Sequence, residues 1–565
     1  MARSGFQGAL FAACLTGACG AAGAGAAQNA LPSRQELDPG RTRALAAAPA
    51  GEAFAGIESG PCPFGESALT FTLQGVDIRA ADAAASLSTV ELSPAWSGFL
   101  GREISLSTAC EIRDRVAATY LRRGVLASVI IPEQRIVEGR LALEVVEARV
   151  TSVSYRGDAG PAQAQVARYL DQLKGMAPFD LNRAQRYLLL ASDIPGVQVQ
   201  ATLKPAPGGA GAVALEIAVS HDPVSVFLEA HNLGSVSVGR EMLLARVDLN
   251  SLTPLGERTS LIAYGTADFE EQRVFQLIEQ IKLGGSGLAA ELSASWAETR
   301  PGGALSALEL DGESFAGSAR LSLPLVRHRR HNLTASAGLD WIDQTMEFGN
   351  GIAVLTEDHL RVAYARLDGH WAPRSLAGNS AAVTGFAEVR QGLSGLGASD
   401  YGDILASRFL GVPDALIWRA EMQLGARLAG PLIGAATVSW QHTDDPLLAY
   451  EEFSVGNLGV GRGYDPSAAS GDRAIAWSLE LTTTPLRTPW GRAWRPYVFF
   501  DTAQLTNVGP GEDRMVLSSA GAGVRAQMTD RVAVDLAWAE PFDSPTGAGD
   551  APPSRVLVTL SAALF

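Results

Sequence analysis

From about Val224 to Phe565 apolar side chains recur at every second position, in runs separated by turns rich in Gly, Asp and Pro. In Leu288–Trp296 one face receives Leu288, Ala290, Leu292, Ala294 and Trp296, and the other Ala289, Glu291, Ser293 and Ser295. In Asn332–Trp341, Leu333, Ala335, Ala337, Leu339 and Trp341 oppose Asn332, Thr334, Ser336, Gly338 and Asp340. Arg531–Trp538 repeats the pattern with Val532, Val534, Leu536 and Trp538. A period of two belongs to β-strands with unlike faces. A soluble sandwich also alternates, but some 340 residues are long for one sandwich, and a second face of small and polar residues suits a wet lumen. The reading is an all-β transmembrane barrel of antiparallel strands, about 16 of them at roughly 20 residues per strand and connection. An open edge would leave backbone groups unpaired in lipid, so the terminal run RVLVTLSAALF should pair with the first strand. There Val556, Val558, Leu560, Ala562 and Leu564 share a face that excludes Phe565, so a slipped phase or a bulge is expected at the end.

No segment offers the roughly 18 consecutive apolar residues of a spanning helix. A net charge of -15 with no basic block lacks the positive footprint of a nucleic-acid binder. Residues 1–27 read as a secretory signal: Arg3, a small apolar run, then Ala24-Gly25-Ala26 or Gly25-Ala26-Ala27 before Gln28. LTGAC, ending at Cys19, approaches a lipoprotein box, but its leucine stands one place too far from the cysteine. Cleavage removes Cys14 and Cys19 and leaves Cys62 and Cys110, which can form one disulfide in an oxidising compartment or remain two buried thiols. Their spacing does not suit zinc. Residues 28–63 form an Ala/Pro/Gly/Arg-rich linker, read as mobile, with a short helix near Thr42–Ala48 and no evident plug helix.

Two small α+β units precede the barrel, at 64–150 and 151–222, with the barrel at 223–565. In the first, FTLQGVDI alternates as a strand. RDRVAATYLRRG places Val116, Tyr120 and Leu121 on one helical face before Gly124, and two strand-like runs flank a turn at Pro132-Glu133-Gln134 with Gly139 beyond it. In the second, VTSVSYRG is a strand, AQVARYLDQLKG and LNRAQRYLLLASD are helices, and a hairpin turns at Pro207-Gly208-Gly209. A long glycine-rich loop, about 454–473, carries Gly461-Arg462-Gly463-Tyr464 and is expected to fold into the lumen. A buried guanidinium needs a carboxylate, and Asp501, set between apolar neighbours in FFDTA, is the partner selected. An exposed hairpin loop is the plainer alternative. Glu480 reads as a lumen-facing acid that wets the wall.

These segments resemble, over roughly 64–565, the outer-membrane transporters of two-partner secretion systems, the haemolysin/haemagglutinin secretion-activation family. YLRRG with IIPEQRIVEGRLALEVVEA is similar to the family's first periplasmic POTRA domain, with Pro132, Gln134 and Gly139 as its motif. PGVQVQATLKPAPGGAGAVALEIAVS is similar to the end of the second. HNLGSVSVGREMLLARVDLNSLTPLGERTSL, with Asn232, Gly234, Gly239 and Pro254-Leu255-Gly256, matches the start of the barrel. GRGY at 461–464 matches the loop-tip motif, with Gly461 where valine is usual. FFDTA at 499–503 matches the acid-bearing strand, with Ala503 where glycine is usual.

The resemblance implies a Gram-negative outer-membrane pore with its POTRA domains in the periplasm. It would take up an unfolded exoprotein of adhesin, haemagglutinin or cytolysin type through that cargo's N-terminal region and export it, with or without activation. Outer-membrane lipid is the other partner; no cofactor, metal, nucleotide or catalytic residue is expected. GESA at 65–68 lacks the nucleophile-elbow spacing, and His328 and His331 in RHRRH read as a basic barrel turn. The alternatives are a barrel- or autotransporter-assembly insertase, which shares the barrel and loop tip, then a passive porin or a soluble β-rich adhesin. Two modules and the PEQ–G motif favour secretion.

Overall fold

The computed structural model describes residues 31–37, 62, 64, 69–81, 85–373, 380–457, 459–487, 492–509, 514–547 and 549–564. The leader, Thr42–Ala48 and Phe565 lie outside them. Cys62 and Cys110 are joined as a disulfide.

In the first α+β unit a three-stranded sheet, ordered Gly75–Ala80, Arg140–Glu147, Ala127–Ile130, packs against the helix Leu106–Arg122. The run FTLQGVDI is split: Thr70–Thr72 pairs with Glu103–Ser105 and only Gly75–Ala80 joins the sheet. Ser105 caps the helix by accepting from the Thr108 N–H, satisfying one orphan donor of the first turn. Ala109, Ile112, Val116 and Tyr120 form its buried face, while Leu121 is exposed. Leu121 lies five residues past Val116, which turns it about 140° away at about 100° per residue.

The second unit has the sheet order Arg149–Gly157, Ala212–His221, Val197–Pro205, covered by helices Gln163–Leu170 and Leu181–Ser192. Asp180 caps the latter by accepting from the Asn182 and Arg183 N–H groups. Only Ala148 separates the two sheets, and its N–H and C=O are held by Leu126 and Phe179.

From Val224 onward sixteen long antiparallel strands close into a barrel, each paired with its sequence neighbours, and the two-residue strand Leu486–Arg487 extends one hairpin. The last strand, Arg555–Ala563, pairs with the first, Val224–His231, from Thr559↔His231 to Ala563↔Phe227. Leu292, Trp296, Leu339, Trp341, Leu536 and Trp538 are exposed on the outer wall, whereas Ser295, Ser336, Glu388, Arg390, Asp501 and Ser519 are buried inside. The alternation therefore places apolar side chains toward lipid and polar ones toward the lumen. No helix among the described residues is long and apolar enough to cross a membrane.

The second unit docks on the hairpin turns of one barrel end. Arg327 meets Asp193 at 2.6 Å, Gln165 donates to the Gly284 carbonyl, Arg186 to those of Ser286 and Pro324, and Ser251 to that of Pro195. The long connection 444–472 leaves the opposite end and turns back inside.

The linker departs from the sequence reading. Pro32 and Leu37 lie in the lumen, where Gln344 and Gln276 donate to their carbonyls. The short helix Arg34–Leu37 buries Leu37 among Val274, Ile342, Leu360 and Tyr450. Its hold comes from partners more than 200 residues away, which local periodicity does not register.

Candidate functional site

The tip of the inward loop is built by backbone geometry first. A small hairpin, Phe453–Val455 with Ala469–Gly471, carries the tip into the barrel. Gly461 takes φ +106, a conformation β-branched side chains resist. Glycine thus suits this turn. Val455, Val460 and Tyr464 pack on Ala474, Ala476, Ala503, Leu505 and Leu517, so Ala503 belongs to the loop's apolar bed.

Arg462 then lies against the inner wall. Its Nε and Nη2 donate to the two Asp501 oxygens at 2.9 and 2.8 Å, and its backbone N–H donates to Asp501 at 3.0 Å. Nη1 reaches Glu480 at 2.9 Å and Nη2 the Ser478 hydroxyl at 3.1 Å. The guanidinium stacks 3.7 Å from the Phe499 ring centre. The Asp501 side chain is 1% exposed and that of Arg462 19%. This two-pronged geometry requires arginine's planar fork. Glu480 is more than a wetting group, since it is shared with Arg525. Alternation placed it in the lumen but could not name its partners.

The neighbouring motif residues extend the contact. The Gly463 N–H donates to Ser519, and a Cβ at Gly463 would stand 2.8 Å from the Ser519 Cβ. The Tyr464 hydroxyl donates to the Ser518 carbonyl at 2.8 Å and accepts from the Asp543 N–H. Asp465, absent from the sequence-based site, pairs with Arg555 of the last strand at 2.7 Å and with Arg240 of the first hairpin at 3.3 Å. Asn457 donates to the Leu233 carbonyl.

The loop tip thereby spans the barrel's seam, which needs the help. It has five ladder pairs, against eight between the first two strands. Asn232 extends it by donating to the Val556 carbonyl and accepting from the Val558 N–H, both at 2.8 Å.

A second ionic cluster holds the lumenal segment. Arg390, 1% exposed, meets Glu451 at 2.7 Å and Asp340 at 2.8 Å, and Arg34 meets Glu388 at 3.2 Å. A cavity of about 750 Å³ beside Arg34 is lined by Asp368, Thr384, Glu421, Gln423, Ser439 and Ser478.

The remaining sequence-selected residues lie apart, in the first unit. The Gln134 amide brackets Ala142, donating to its carbonyl at 2.8 Å and accepting from its N–H at 2.7 Å. Pro132 accepts from the same amide. Gly139 takes φ +71 and leaves room for the Thr72–Gln74 backbone. Among the described residues no three His, Cys, Asp or Glu side chains converge as metal ligands would.

Comparison with known proteins decides the family. Residues 209–526 match the model of the haemolysin secretion/activation protein family ShlB/FhaC/HecB, and residues 71–148 that of the ShlB-type POTRA domain. The chain belongs to this family. It is an outer-membrane transporter of two-partner secretion, with its POTRA domains in the periplasm and a secreted exoprotein as partner. CdiB from Escherichia coli shares the fold at TM-score 0.71 and 17% identity, over 94% of this chain and 98% of that one. CdiB from Acinetobacter baumannii does so at 0.64 and 16%, over 97% and 99%. BamA from Haemophilus ducreyi lacking POTRA domains 1–3 aligns at 0.50 and 13%, over 87% and 100%. No curated protein matches the chain. The insertase alternative is not favoured.

Proposed function

We propose that this transporter exports an unfolded adhesin, haemagglutinin or cytolysin type of cargo, captured in the periplasm through the cargo's N-terminal region and passed through the barrel without chemistry on the chain. The observation that carries the reading is the inward loop held by Arg462 on Asp501 inside a closed barrel whose periplasmic turns carry the second small domain. The strand Arg149–Gly157 is an edge of its sheet with most residues exposed. An extended segment can add to such an edge, with backbone hydrogen bonds tolerating many sequences. Residues 31–37 narrow the lumen at rest, and cargo must displace them. Arg462 keeps the loop tip on the wall while the rest of the lumen changes occupant. Residues 64–150 and 151–222 serve as the two capture domains, and 223–565 as the conduit.

A photo-crosslinking phenylalanine analogue at Tyr155, in cells making the transporter and its exoprotein, tests capture. Crosslinks to the cargo's N-terminal region during export are expected. Efficient export with crosslinks confined to other proteins would refute edge capture. R462A should lower export more than it lowers the amount of folded barrel.

A further inference from the structure

A groove interrupts the outer wall. Val326, Leu333, Gly369, Gly385 and Met422 are direct partners across five successive strands and share the lipid-facing side. The two glycines at the centre leave a floor of bare backbone between walls of Leu333 and Met422. A Cβ built at Gly369 meets nothing within 4 Å. The groove measures about 510 Å³, and its lining is mainly apolar, with Leu367 at one end and Trp371 and Val383 at the other. Trp371 lies four residue steps beyond Leu367, about 13 Å along a strand.

The Trp371 end is the periplasmic one. Trp371 pairs with His331, and the Ala372 N–H donates to the Arg330 carbonyl, which fixes the turn Arg327-His328-Arg329-Arg330-His331 beside the groove mouth. This turn has no acid, in a chain of net charge -15. Arg327 is engaged by Asp193, and His328 stacks on His331 at 4.4 Å. Arg330 and His331 are exposed. A tryptophan at a wall's rim is an interfacial residue, so the cations stand at headgroup height while the groove lies at the depth of acyl chains.

We propose that this groove and turn form a binding site for one anionic phospholipid of the inner leaflet. An acyl chain lies over Gly369 and Gly385, and the phosphate-bearing headgroup meets Arg330. Apolar lining alone would accept any acyl chain; the basic turn at its periplasmic mouth selects a net negative headgroup.

The test is native mass spectrometry of the full chain, released from nanodiscs of phosphatidylethanolamine with a minority of phosphatidylglycerol. The parent should retain phosphatidylglycerol in preference. R330Q should retain about fivefold less, the effect of one basic residue near an anionic surface. G369L, which fills the floor, should lose retention, while L536A across the barrel should match the parent. Heat-modifiable migration reports folding; if G369L fails it, M422W, which closes the groove from its wall, takes its place. Undiminished retention in R330Q or in the folded groove-filling variant, or equal retention of phosphatidylethanolamine by the parent, overturns the assignment.

Discussion

Replacing Arg462 with alanine removes four side-chain hydrogen bonds at once: two to Asp501, one to Glu480 and one to Ser478. Glu480 keeps Arg525. Among the described residues Asp501, 1% exposed, then keeps the Ser478 hydroxyl and the residue-462 N–H. Stranding one partner of a buried pair costs about 3–5 kcal/mol. If the loop tip docks in two states, that loss multiplies the undocked fraction by roughly two to four orders of magnitude, at tenfold per 1.4 kcal/mol. A cysteine at Val460, 6% exposed in the docked tip, reports that fraction through its maleimide-labelling rate in V460C and V460C/R462A. Adding D501A to R462A should recover part of the protection, because no carboxylate is then stranded. A rate change under about tenfold in R462A would place the pair's contribution below about 1.4 kcal/mol and refute the reasoning.

D465N should lower the temperature at which the folded barrel loses its heat-modifiable migration, because Arg555, 7% exposed, then faces neutral oxygens in place of a carboxylate; the expected loss is about 3 kcal/mol. Q134A should speed hydrogen exchange of the Ala142 amide roughly fivefold, for the loss of about 1 kcal/mol, with barrel amides unchanged. Tyr120 is fully buried, and burial with the nearby Glu147 charge pushes its phenol up to about 12. Unfolded tyrosine ionises near 10, so this stability is full below pH 10 and is lost as pH rises through 12, about 3 kcal/mol in all. Thermal unfolding of the periplasmic region should fall over that window, and by less in Y120F.

The barrel was legible because alternation is a property of every strand: Leu339 and Trp341 reach lipid and Asp340 the lumen for the same reason. Strand order followed from short turns, and closure from the cost of an open edge. At the loop tip an arginine among glycines signalled a buried charge, and the apolar neighbours of Asp501 made it the natural partner. The rest depended on distances no local pattern encodes. Glu480 meets Arg462 and Arg525 because three strands curve around one point. Asp465 meets Arg240 and Arg555 only when the chain's ends are adjacent. Residues 34–37 are too few for a helical period, and their partners Glu388 and Gln276 lie hundreds of residues on.

The five-rung seam bears on how such a cylinder forms. Joining His231 to Thr559 encloses about 330 residues, a loop-closure entropy of about 5 kcal/mol, far above that of any hairpin in the wall. Ring closure should therefore come last in folding, from a curled sheet whose hairpins already exist. Asn232 and Asp465 act on the two strands that meet at that step, and a chain lacking both would linger as an unclosed ribbon with two bare margins in the bilayer.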